Sequence, residues 1–275
     1  MEPWARRRWR PSREHLEGIS QIATPKQLMD QFDASHVSLA ILAGGMGRRM
    51  GGPKAWLRIE GKSILAWHHA KLPWPGPTMV VSSPATANPP DADLFDQAVI
   101  DPVDDLGPLR GVLTAAEHAK TGAIVAMPID MPFVELEQLL WIARQLPARP
   151  ECRGIMCSRD HEGHARIEPF PSAFRRDAAE QIAQRLGEGR RSLHGLCDLL
   201  GFCVIPAPSD WPERIWTNLN DPQQLAAFVE GRIEYGPRLR CGAKTRTLRS
   251  DQWPRGPTLA RRSLTREARR RSERI

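Results

Sequence analysis

Long apolar runs are missing from this 275-residue chain. None approaches the roughly 20 residues a helix needs to cross a bilayer, so a helical integral membrane protein is excluded. Cysteine is scarce as well. The five that occur, Cys152, Cys157, Cys197, Cys203 and Cys241, form an odd set with no Cys-x-x-Cys spacing. Neither a disulfide framework nor a zinc site is expected from them. His161 and His164 have a metal-like spacing but no third ligand close in sequence, and the adjacent His68 and His69 point to different sides of any helix and cannot chelate together. They read as ordinary, partly exposed residues. Arg6, Arg7, Arg8 and Arg10 imitate the charged start of an export signal, yet no apolar stretch follows before Val37. A cytoplasmic location is the expectation.

Two common phosphate loops are absent too. Gly61-Lys62-Ser63 could close a Walker A loop, but the glycine required five residues earlier is Trp56. Gly45-x-Gly47 could open a dinucleotide fingerprint, but the third small residue is Met50.

With 41% hydrophobic and 26% charged residues, the composition is that of a soluble globular chain with room for one full domain and extensions. The net charge of +7 invites a nucleic-acid reading until it is divided along the chain. Residues 1–34 carry 6 basic and 5 acidic side chains, residues 35–235 carry 20 and 24, and residues 236–275 carry 13 and 3. The central region is mildly acidic, and the excess of arginine sits in the C-terminal tail. Three segments follow: an N-terminal extension over 1–34 with one short helical pattern around 25–32, a folded domain over 35–235, and a basic tail over 236–275 without core-forming pattern.

The most informative stretch is Val37 to Lys54, VSLAILAGGMGRRMGGPK. An apolar run predicts a buried strand, and the glycine-rich loop after it can turn backbone N–H groups toward a ligand while Arg48, Arg49 and Lys54 add positive charge. That chemistry suits a polyphosphate. Further apolar strands are predicted at Thr78 to Ser82, Gln97 to Ile100, Ala123 to Met127, Gly154 to Ser158 and Gly201 to Ile205. Several deliver a polar residue just past their C-terminal ends, Asp101 and Asp130 among them. This is the pattern of an open, mostly parallel α/β sheet with helices on both faces and its ligand crevice at those ends. Helices are expected from Ser63, which caps the first, over Leu109 to Lys120, Glu135 to Leu146 and Arg176 to Leu186. Lys54 to Gly61 reads as a short extended piece, and Asp104 and Asp105 as caps of the helix that follows them.

Leu42, Ala43, Gly44, Gly45, Gly47, Arg49, Met50, Gly51 and Lys54 match the pattern L-A-G-G-x-[SG]-x-R-M-G-x-x-K. In this the chain resembles the MobA-like nucleotidyltransferases, and molybdenum cofactor guanylyltransferases within them. Gly107-Pro108-Leu109-Arg110-Gly111 resembles the family's G-P-L-x-G turn, Asp130-Met131-Pro132-Phe133 its D-M-P-F, and Trp216 to Pro222 its asparagine-rich segment, with Asp221 in place of threonine as a helix cap. The resemblance covers about residues 36–232.

It implies a Rossmann-like fold of the nucleotide-diphospho-sugar transferase type. It also implies transfer of GMP from GTP to the terminal phosphate of molybdopterin, with release of pyrophosphate. GTP would lie over Leu42, Ala43, Gly44 and Gly45, with Arg49 and Lys54 on its phosphates. Mg²⁺ would sit on Asp130, and Asp101 near the nucleoside or the metal. Arg166 and Pro169 would reach the pterin side, Arg191 a phosphate, and Asn218 and Asn220 the rim of the site. Proteins of molybdenum insertion and molybdoenzyme maturation are the implied partners. Three alternatives stand beside this reading. One is a cytidylyltransferase on the same pterin, which usually reads Leu-Ala-Ala-Gly at residues 42–45. The others are a transferase acting on a sugar phosphate or other small phosphate, and a nucleic-acid-binding protein driven by the C-terminal arginines.

Overall fold

A computed structural model describes residues 32–47, 52–104 and 106–229. The expectations for the basic tail and, apart from Phe32, for the pattern over 25–32 lie outside these residues, as do Arg49 and Asp105.

The apolar run Val37–Leu42 forms strand β1, buried at every position, as a strand covered on both faces requires. Arg58–Ile59 and Lys62–Ser63 (β2 and β3) make a small antiparallel hairpin. Lys54 to Gly61 is therefore not one extended piece. Lys54–Trp56 winds into a single 3₁₀ turn before β2. Ser63 then accepts a hydrogen bond from the Ala66 N–H at 3.0 Å and caps helix α1, Ile64–Lys71. Strands β4 (Thr78–Ser82), β5 (Gln97–Ile100) and β6 (Ala123–Pro128) follow, with helix α2 (Pro108–His118) between the last two. Helix α3 is Leu136–Gln145, preceded by a capping box in which the Gln138 amide oxygen accepts from the Glu135 N–H at 2.8 Å. β7 (Gly154–His161) and β8 (His164–Arg175) form a long hairpin, followed by α4 (Ala178–Gly187), β9 (Phe202–Pro206) and α5 (Pro222–Val229).

Seven strands join in one sheet, in the order β5-β4-β1-β6-β8-β7-β9. All of its pairings are parallel except the two that β8 makes with β6 and β7. From β1 the chain moves outward through α1 to β4 and on to β5, then crosses back through α2 to β6 on the other side of β1. Right-handed crossovers in opposite directions place α1 and α2 on opposite faces of the sheet. The order of strands thus reverses at β1, and a crevice opens there beyond the strand ends.

Two expectations are corrected in this frame. Cys152 and Cys203 are joined by a disulfide, with Cα atoms 5.9 Å apart. Their separation of 51 residues hides the pairing in the sequence, but β7 and β9 are hydrogen-bonded neighbours, and that brings the two within bridging distance. Asp104 does not cap α2, whose N-cap is Gly107. Its carboxylate instead accepts from the Ala85 N–H at 3.1 Å, in the turn after β4. The cap assigned to Asp221 holds: its carboxylate accepts from the N–H groups of Gln223 and Gln224, both at 2.9 Å.

Candidate active site

The C-terminal ends of β1, β4, β5 and β6 enclose a cleft of about 280 Å³. Leu42, Gly44 and Gly45 come to it from the end of β1, Asp101 from β5, Asp130 from β6, and Lys54 from the far side of the glycine loop. Residues spread over nearly 90 positions meet here because parallel strands end on the same side. Ala43 is buried directly beneath, its N–H donating to the Val81 carbonyl at 2.7 Å.

The loop after β1 closes through a hydrogen bond from the Lys54 N–H to the Gly45 carbonyl, 3.1 Å long. Glycine is needed in it for two separate reasons. Gly47 has φ +54°, and a Cβ there would stand 2.0 Å from the Gly52 carbonyl oxygen. At Gly44 the backbone angle is ordinary, but a Cβ would lie 3.3 Å from the Ser83 nitrogen, so β1 and the end of β4 approach too closely for any larger residue to fit without displacement.

Lys54 points its ammonium at the Asp130 Oδ2 atom, which it contacts directly, and at the Asn220 Oδ1 atom 2.9 Å away. The pair is largely withdrawn from water, with side chains 15% and 11% exposed. The Leu219 N–H donates to the Asp130 carbonyl at 2.8 Å, tying the asparagine segment to the strand end. Asp101 is buried, and burial pushes its carboxyl above the usual carboxylate range, with a hydrogen bond from Thr114 and the charge of Arg110 pulling the other way. Arg110 lines the cleft and is itself held by the Thr114 hydroxyl at 3.1 Å and by Glu117 at 2.8 Å.

Asp101 Oδ1 and Asp130 Oδ1 are both buried without a hydrogen-bond partner in the protein. A buried carboxylate oxygen left unpaired is costly, and two of them lining one cleft fit a bound cation. Among the described residues no group of three His, Cys, Asp or Glu side chains could hold a metal. The oxygen-only donor set and the small number of carboxylates suit Mg²⁺, which completes its coordination from substrate phosphates and water.

Four other residues singled out in the sequence are not part of the cleft wall. Arg166 and Pro169 are on β8, where Arg166 pairs with the buried Glu168 at 3.2 Å. Arg191 is exposed in the connection after α4, and Asn218 is exposed on the segment leading to Asn220. None of the four lines the cleft. His161 and His164 are paired across the β7–β8 turn.

Sequence reasoning passed over Ser83 and Arg110 as cleft residues and misjudged His68. His68 is fully buried, and its Nε2–H donates to the Ile129 carbonyl at 2.7 Å. Burial draws its pKa down to about 4, so the ring is neutral. A signal was present, because His68 falls on the apolar stripe of α1 with Ile64, Leu65 and Leu72.

Comparison with known proteins agrees with this geometry. The model of the MobA-like NTP transferase domain matches residues 39–199. A molybdenum cofactor guanylyltransferase of Cereibacter sphaeroides is 31% identical over 193 residues, covering 68% of this chain and 92% of the relative. One from Vibrio cholerae is 28% identical over 204 residues, covering 74% and 96%. Among solved structures, the molybdopterin-guanine dinucleotide biosynthesis protein A of Archaeoglobus fulgidus superposes with a TM-score of 0.59 at 24% identity, covering 70% of this chain and 97% of that one. The 2-C-methyl-D-erythritol 4-phosphate cytidylyltransferase of Thermus thermophilus, at TM-score 0.52 and 22% identity over 72% of this chain and 98% of its own, shares the fold. A parallel sheet whose ends gather a glycine loop, a lysine and two buried aspartates, together with these matches, assigns the chain to the MobA-like NTP transferase family.

Proposed function

We propose that this protein transfers GMP from GTP to the terminal phosphate of molybdopterin and releases pyrophosphate. The observation that carries the proposal is the convergence of Gly44, Gly45, Lys54, Asp101 and Asp130 on one cleft, in a chain about 30% identical to molybdenum cofactor guanylyltransferases. An acceptor phosphate oxygen attacks the α-phosphorus, a new P–O bond forms, and the bond to the β-phosphate oxygen breaks. Such a transfer needs in-line placement and compensation of charge more than a nucleophilic side chain.

The residues divide these tasks. The backbone of Leu42 to Gly45 receives the nucleotide, and the Lys54 ammonium lies where triphosphate oxygens gather, with Arg49 as a second cation from the same loop. Asp130, with Asp101 beside it in the cleft, would hold Mg²⁺, which when bound offsets the negative charge of the departing pyrophosphate. Asn220 keeps Lys54 at the rim. Arg166 and Pro169 are assigned to the pterin side of the acceptor, Arg191 to a phosphate and Asn218 to the rim of the site. The reaction is assigned to the cytoplasm. No helix among the described residues is long and apolar enough to cross a membrane.

The test is pyrophosphate release with GTP, CTP, ATP and UTP, each with molybdopterin, with a sugar phosphate in its place or with no acceptor, and with and without Mg²⁺. Release confined to GTP with molybdopterin and Mg²⁺ is expected. Release with CTP instead identifies a cytidylyltransferase, and release with a sugar phosphate in place of molybdopterin overturns the acceptor.

A further inference from the structure

The loop that carries Asp130 is tied down from outside the cleft. Helix α1 runs past it and presents two polar side chains one turn apart. His68 donates to the Ile129 carbonyl, and the Lys71 ammonium contacts the Pro132 carbonyl and reaches the Val134 carbonyl at 2.8 Å. Backbone carbonyls on both sides of Asp130 are thus held by one rigid helix.

Neither side chain sits there without cost. His68 is fully buried with its Nδ1 atom unpaired, and the Lys71 side chain is only 10% exposed, with Glu135 as counterion at 3.2 Å. Apolar residues would satisfy the stripe of α1 more cheaply, so these two must be explained by what they grip. Packing around the grip is close. Trp67 meets Phe228 of α5 edge to face at 5.7 Å, Phe228 meets Phe133 of the loop at 5.1 Å, and Lys71 lies over the Trp67 ring at 4.9 Å. The rest of the loop is anchored by the Ile129 N–H on the Leu42 carbonyl at 3.0 Å. The ring is neutral at ordinary pH, and because its partner is a carbonyl, the proton sits on Nε2.

We propose that His68 and Lys71 are positioning residues for the transfer reaction, a clamp that holds the 129–134 loop so that the Asp130 carboxylate meets the cation and the nucleotide phosphates in one geometry. The clamp rests on the functional reading above for its catalytic consequence, but its structural part stands apart from it. Partners that orient a metal ligand at second hand commonly change affinity or activity by about 10- to 100-fold when lost.

The experiment compares His68→Leu, His68→Gln and Lys71→Met with the unaltered protein. Glutamine can place an N–H close to where the imidazole Nε2–H lies, whereas leucine fills the space without a donor. Three quantities are read: amide hydrogen exchange over residues 129–134, Mn²⁺ affinity by electron paramagnetic resonance in the presence of a non-hydrolysable GTP analogue, and kcat with KM in the transfer assay. In His68→Leu, exchange in the loop rises, Mn²⁺ affinity falls about 10-fold or more, and kcat falls while KM for the acceptor is unchanged. His68→Gln recovers most of each, which a purely space-filling histidine would not show. Should His68→Leu fail to fold, Lys71→Met, altered at the edge of the core, carries the same expectations. Unchanged loop exchange and Mn²⁺ affinity in the folded variants, or no recovery by glutamine, overturns the clamp. Absence of GMP transfer by the unaltered protein overturns the functional reading alone, and the exchange and Mn²⁺ measurements still decide the clamp.

Discussion

Replacing Asp130 by asparagine preserves the shape of the side chain and removes one negative charge at the centre of the cleft. In the native arrangement Oδ2 faces the Lys54 ammonium and Oδ1 is buried without a partner. An asparagine that turns its oxygen to Lys54 puts an NH₂ donor where a cation is to be bound. Turned the other way, it sets NH₂ against the ammonium. Neither orientation restores the site. The loss of a single electrostatic group acting on developing charge lowers turnover by at least ~100-fold, or about 2.7 kcal/mol. Folding stability should change far less, by about 1 kcal/mol in either direction, because the lost ion pair is offset by relief of a buried and half-satisfied carboxylate. The measurements are pyrophosphate release against Mg²⁺ concentration, and thermal unfolding beside it, where about 1 kcal/mol corresponds to a shift of about 2–4 °C. Native turnover with an unshifted Mg²⁺ requirement in Asp130→Asn would refute the assignment of the metal and of the cleft with it.

Gly44→Ala should weaken the preference for GTP over CTP, because the added Cβ lies 3.3 Å from the Ser83 nitrogen and Ser83 is held back by its own hydrogen bond to Thr86 at 3.0 Å, so β1 is displaced toward the nucleotide. Equal use of GTP and CTP by the unaltered protein would remove the basis for this expectation. His68 makes stability pH-dependent in a defined direction: below about 6.5 the unfolded chain takes up a proton on this residue, while the folded one does so only near 4. Stability is therefore fully present above about pH 6.5 and declines as the pH falls toward 4, by about 3 kcal/mol in all, and urea unfolding at several pH values should show a shallower decline in His68→Gln. Parallel declines in the two proteins would contradict the buried, neutral histidine. Cys203→Ser should lower the stability of the oxidised protein by up to about 4 kcal/mol, from the loop of 51 residues that the bridge closes, and identical denaturant midpoints would show that no bridge forms.

The sequence by itself located six of the strands, though not the β2–β3 hairpin or β8, and it pointed to several of the residues that line the cleft. β1, β4 and β5 occupy the residues expected of them: β1 and β4, inside the sheet, are continuous apolar runs of the kind that a strand covered on both faces requires, and the short apolar run of β5 forms the sheet's edge. Asp101 and Asp130 were legible because a polar residue just past the C-terminal end of a strand in a parallel sheet falls at the ligand crevice. The tertiary structure decided what depends on pairs distant in the chain. It set Cys152 against Cys203 across neighbouring strands, turned Asp104 to the loop after β4 instead of to its own helix, and brought Lys54 onto Asp130 and Asn220. It also made His68, expected to be an ordinary and partly exposed residue, a buried donor to the Ile129 carbonyl. Strand formation follows from local patterning, whereas the partner of a cysteine, a carboxylate or an imidazole is chosen by the packing of strands and helices from elsewhere in the chain.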